Sequence, residues 1–229
     1  MLLRRALRNI LAEIDPDGKD PALRRMVLIG HSQGGLLARL MATRSGNRFW
    51  ENMSNASFEK MDMNSETREL LRESTFFEPM PMVKRVIFIA TPHRGSFQAS
   101  GFALSLIKRI INLPGTLVSQ FHDLLIEQEF GQLNMGRLPT SVENMSPGHP
   151  FLRALNDLPI DSSIPANSII AVLTDGPITG KTDGVVSYES AHLDGVESEK
   201  IVRSDHSTQS HPDTIEEVRR ILREHIGLK

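Results

Sequence analysis

The spacing of apolar residues changes several times along the chain, and each change marks an element. From Leu3 to Ile14 the apolar positions (Leu3, Ala6, Leu7, Ile10, Leu11, Ile14) recur every three or four residues, which predicts an amphipathic helix. The turn-rich DPDGKDPA breaks it, and RRMVLIG then reads as a short buried-type strand. Helical spacing returns from Gln33 to Arg44. The same alternation follows downstream. VKRVIFIA (83–90) is a second strand, ended by TPHRGS. FLRALNDLP (151–159) is a short helix, NSIIAVLT (167–174) a third strand and SEKIVR (198–203) a weaker fourth. PDTIEEVRRILREHI (212–226) closes the chain as a helix with a proline near its start.

Two stretches interrupt this rhythm. Residues 46–82 are polar and Met-spotted, with one predicted helix around Ser65–Glu73, and read as an excursion. Residues 97–147 form a long insertion carrying GFALSLIKRIINLPG, apolar around most of a helical circumference. Its Phe102, Leu104, Leu106, Ile107, Ile110, Ile111 and Leu113 suit a lid over a site as well as they suit an ordinary packing helix.

Strands alternating with helices predict an α/β fold, a short parallel sheet flanked by helices, in one domain over residues 1–229. Reactive groups in such sheets gather at the carboxyl ends of the strands.

Composition narrows the function classes. With 26 basic and 28 acidic residues, the net charge of -2 gives no expectation of nucleic-acid binding. There is no cysteine, so disulfides and thiolate metal sites are out, and nothing has metal-ligand spacing; no cofactor is expected. No apolar run reaches the roughly 18 residues of a membrane span, and the charged first helix lacks the apolar core of a signal peptide. The compartment is left open.

The strand-to-helix junction VLIGHSQGGLLARL carries the strongest chemical signal. A serine on so tight a turn has its hydroxyl pushed clear of the backbone at the sheet's edge. Gly30 and Gly34 are expected to let neighbouring chain pass close to that turn. The helix beginning at Gln33 aims its amide end at any oxyanion forming beside Ser32, with the Gln33 amide as donor. A serine needs a base, and the base an acid to orient it. The third strand is followed by Asp175, Asp183 and Asp194, and the fourth by His206 and His211. His206 lies three residues beyond Arg203, where a loop can return it to Ser32. His211, directly before Pro212, belongs to the start of the last helix.

GHSQGG, ATPHRGS, TDGVVSYESAHLDG and SDHS, taken together, resemble bacterial serine lipases and esterases of the α/β-hydrolase superfamily, nearly from end to end of the chain. The resemblance implies a Ser-Asp-His triad of Ser32, Asp183 and His206, with Asp175 as the second choice of acid. It implies hydrolysis of small-molecule carboxylic esters with apolar acyl chains, through an acyl-enzyme. In TPHRGS, His93 precedes the acid and follows the wrong strand to be the base; the motif reads as shaping the pocket wall near Ser32, with Thr91 or Arg94 fixing the loop by hydrogen bonds and His93 and Arg94 structural.

Members of that superfamily usually place several strands before the nucleophile strand, and a loop there donates a second oxyanion amide. Here only 25 residues precede the core of the first strand at Met26, so the fold reads as a reduced one, entered at the helix before the serine. Two other readings follow: a non-catalytic remnant serving assembly or binding, and an acyltransferase or thioesterase with the same triad. An exposed Met26–Ile29 edge also predicts a homo-oligomer, most simply a dimer.

Overall fold

The computed structural model describes residues 2–54, 56–96 and 150–228. The insertion at 97–147, with its lid reading, lies outside the described residues.

The strands are β1 (Met26–His31), β2 (Val83–Ile89), β3 (Ala166–Val172) and β4 (Ser198–Arg203). They form a four-stranded sheet in the order β1-β2-β3-β4 with every pairing parallel. β2 and β3 lie inside, and β3 is buried along its whole length. That burial explains why both read as near-continuous apolar runs instead of alternating ones. β1 and β4 are the outer strands among the described residues and are only half-buried.

The helices are α1 (Leu2–Ile14), α2 (Gln33–Met41), α3 (Arg48–Met53), α4 (Ser65–Thr75), α5 (Pro150–Asn156), α6 (Tyr188–Ala191) and α7 (Pro212–His225). The period-two alternation of the strands sends their side chains to two faces. On one face Ala38 and Met41 of α2 pack on Val86, Phe88 and Ala166. On the other, Ile221 of α7 packs with Ile87, Ile89, Ile169 and Val202. The result is a parallel sheet between helical layers. α7 starts at Pro212, where a missing amide costs nothing, behind His211, whose ring accepts from the amide of Asp213. Two residues past its end stands Gly227, whose φ of 78° few other residues adopt.

The 46–82 excursion is not loose. Trp50, Phe58, Met61 and Leu71 form a core of their own, with Met63 and Phe76 against it. Sequence periodicity predicts α4 but not α3, which is only six residues long and contributes Phe49 to the cluster around Leu36, Leu152 and Leu155. At the amino end of the sheet the buried Arg85 donates to Asn167 Oδ1 at 2.7 Å and pairs with Glu197, while Asn167 donates to Ser198 at 2.8 Å. This network satisfies polar groups that would otherwise be buried without partners.

Candidate active site

The corner between β1 and α2 carries visible strain. Ser32 has φ 54° and ψ −127°, one of two described non-glycine residues at positive φ, the other being Ala90 at the end of β2. A non-glycine side chain in this region raises the backbone energy and persists only where the surroundings enforce it. Two close approaches do so. A Cβ on Gly30 would sit 2.5 Å from the Gly34 carbonyl oxygen and the Gly35 Cα, and one on Gly35 would sit 1.9 Å from Thr91 Oγ1. Gly34, by contrast, has nothing within 4 Å of where its Cβ would be. The expectation for Gly30 holds; for the second glycine it is corrected to Gly35, because the helix turns that residue and not Gly34 toward the loop after β2.

Three loops at the carboxyl edge bring Ser32, His206 and Asp183 together. His206 Nε2 lies 2.9 Å from Ser32 Oγ, and His206 Nδ1 lies 2.8 Å from Asp183 Oδ2. An ionised carboxylate can only accept, so Nδ1 carries a proton and Nε2 is free to accept from the serine hydroxyl. Asp183 is held in turn: its Oδ1 accepts from the amides of Val185 and Val186 at 2.8 and 2.7 Å. Both His206 and Asp183 are buried. Such a chain can draw a proton from a serine hydroxyl as it attacks, and return it to a leaving group. The Gln33 amide is the first in α2, where no preceding carbonyl lies in reach within the helix, so it is free to face a ligand.

The other candidates stand elsewhere. Asp175 is 94% exposed in its side chain and pairs with Arg203 at 2.5 Å. Asp194 is 87% exposed beside His192 and Arg94. His211 caps α7. His93 is fully buried, edge-on to Phe88, with Arg39 donating toward its Nδ1 at 3.4 Å. Burial first, then the charges of Arg39 and Arg94, hold its pKa well below the ordinary histidine value. Arg94 donates to the carbonyls of Glu189, at 2.7 Å, and His192, tying the loop after β2 to α6.

One contributor was not singled out by sequence. His31 is half-buried and donates from Nε2 to the carbonyl of His206 at 2.8 Å, with the two rings 5.0 Å apart. Burial outweighs the carbonyl's opposing pull and lowers its pKa, so the ring stays a neutral donor. The only signal was its place before Ser32, which says nothing of a residue 175 positions away. Among the described residues no cluster could hold a metal ion, and no helix is long and apolar enough to cross a membrane.

No family model matches the chain, and no curated protein matches it. Solved structures show a distant likeness. Lipase BlEst2 of Bacillus licheniformis, in its mature form, is 17% identical, with a TM-score of 0.46 over 96% of this chain and 71% of that one. Lipase 1 of Pelosinus fermentans is 16% identical, with a TM-score of 0.40 over 80% and 65%. Phospholipase PlaB of Legionella pneumophila is 16% identical, with a TM-score of 0.39 over 82% of this chain but only 33% of its own. At these scores the likeness is one of general chain path, and any chemistry has to be argued from the site itself.

Proposed function

We propose that the protein is a serine hydrolase acting on carboxylic esters, with Ser32 as nucleophile, His206 as general base and acid, and Asp183 as the group that orients the imidazole. The observation that carries this reading is the unbroken hydrogen-bonded chain from Ser32 Oγ through His206 to the amide-held Asp183, with the serine on a strained strand-to-helix turn. Ser32 Oγ bonds to the ester carbonyl carbon while its proton passes to His206 Nε2. The oxygen that becomes negative is met by the Gln33 amide and the dipole of α2. His206 then gives its proton to the departing alkoxide, leaving an acyl-serine. Water, deprotonated by the same nitrogen, releases the acid and restores Ser32. Asp183 stays ionised throughout and stabilises the imidazolium.

The test is a p-nitrophenyl ester series run beside labelling with a fluorescent organophosphonate. The expected result is a single label on Ser32, lost together with ester hydrolysis in Ser32→Ala while circular dichroism is unchanged. Hydrolysis retained above a few per cent in a folded Ser32→Ala protein would refute the assignment.

A further inference from the structure

The loop after β2, residues 91–96, takes no part in the steps at Ser32, yet it is bound at several points to the segment that carries Asp183. The Arg94 amide donates to the Ser190 carbonyl at 3.3 Å, and the Arg94 guanidinium to the carbonyls of Glu189 and His192. In return the Ser190 hydroxyl donates to the Gly95 carbonyl. One further tie reaches the acid's own turn. Ser96, 5% exposed, donates its hydroxyl to the carbonyl of Val185, two residues beyond Asp183.

That carbonyl belongs to the peptide group whose other end is the Val186 amide. The amide donates to Asp183 Oδ1 at 2.7 Å, next to the Val185 amide at 2.8 Å. In a trans peptide the C=O and N–H point in opposite directions, so a donor that holds the carbonyl also aims the amide. Accepting at the carbonyl polarises the same unit and strengthens the bond that its amide gives. Among the described residues Ser96 is the one donor to the Val185 carbonyl. With Oδ1 fixed by two amides, the carboxylate turns Oδ2 to His206 Nδ1 at 2.8 Å. A continuous path therefore runs from Ser96 Oγ through the 185–186 peptide, Asp183 and His206 to Ser32 Oγ.

We infer that Ser96 is a positioning residue: through the 185–186 peptide it sets the rotation of the Asp183 carboxylate, and so the orientation of the His206 ring at Ser32. The inference rests on the triad reading proposed above and adds to it a residue from a fourth loop. Ser96 touches no reacting atom, and its loss should show in turnover and not in substrate binding.

Ser190 is the control. It is buried to nearly the same degree, at 6% exposure, and its hydroxyl ties the same two segments, but it reaches Gly95 and not the peptide that holds Asp183. On p-nitrophenyl esters Ser96→Ala should lower kcat about tenfold with KM within about twofold, as a slight misplacement of a catalytic group does. Ser190→Ala should lower kcat by less than about twofold. In an Asp183→Asn background Ser96→Ala should cost less than about a further twofold, because its effect passes through the carboxylate. Proton NMR gives a readout independent of turnover. The His206 Nδ1–H resonance, identified by its absence from His206→Gln, should shift or broaden in Ser96→Ala and stay in place in Ser190→Ala. If Ser96→Ala does not fold, Ser96→Cys, with a weakly donating thiol, replaces it in each measurement. An unchanged kcat in Ser96→Ala, equal losses in the two serine variants, or a loss that persists in full beside Asp183→Asn overturns the inference. If Ser32→Ala keeps hydrolysis, the triad reading falls and the inference with it; with the triad upheld at Ser32, any of those results removes Ser96 alone.

Discussion

The Thr91 side chain occupies the space that any Cβ on Gly35 would need, with its Oγ1 only 1.9 Å and its Cγ2 2.6 Å from that position. The contact presses the first turn of α2 against the loop leaving β2, and so helps to hold Ser32 in its strained conformation. Gly35→Ala must therefore move either the helix or the loop. It should destabilise the protein by at least about 2 kcal/mol and cost most of the activity. Gly34→Ala meets open space and replaces a helical glycine, so it should be neutral or stabilising by up to about 1 kcal/mol. Denaturant titration of the two variants checks the contrast; equal losses would mean that the glycine contact does not set the corner.

The two aspartates that follow β3 differ sharply in setting. Asp183→Asn removes the acceptor for His206 Nδ1 and, with an amide in its place, favours the wrong imidazole tautomer. A loss of about 10,000-fold in turnover is expected, with little change in KM. Asp175→Asn touches only an exposed pair with Arg203 and should change turnover less than about twofold. Steady-state kinetics on one ester decide it, and the opposite ranking would remove Asp183 from its proposed role.

Stability should depend on pH through His93, His31 and His192. Burial keeps His93 neutral in the fold, below its ordinary value of 6.5, whereas the unfolded chain takes up a proton there. The unfolded state then binds more protons, so the stability tied to His93 is complete above pH 6.5 and drains away as pH falls below it. His31 acts with the same sign, chiefly through burial. His192 acts oppositely. Its hydrogen bond to Glu199 at 2.6 Å, the largest influence on it, raises its pKa. Its contribution is therefore full below 6.5 and is lost as pH rises through the folded value. Scanning calorimetry should show Tm falling on acidification of the wild type and a flatter acid limb in His93→Gln. His192→Gln should lower Tm near pH 5.5 but hardly at about pH 9. A His93→Gln protein with an unchanged acid limb would contradict the first assignment.

The sequence by itself determined most of the element order and the parallel sheet. Both rest on local signals, since period-3.6 and unbroken apolar runs are properties of neighbouring residues. It also singled out Ser32, since a serine between a strand and a helix can be seen without knowing what touches what, and it offered His206 and three aspartates in the loops after later strands, of which the family resemblance favoured Asp183. Three matters needed the tertiary structure. The choice of Asp183 over Asp175 depends on which side chain the loop turns inward beneath His206, and both sit in similar Asp-Gly turns in the sequence. The role of Gly35 instead of Gly34 depends on the rotation of α2 against Thr91, which a run of two glycines leaves open. The place of His31 depends on a contact spanning 175 residues, for which local pattern carries no information. The short helices α3 and α6 were invisible for a related reason: at six and four residues they are too brief to show a period, and packing rather than propensity holds them.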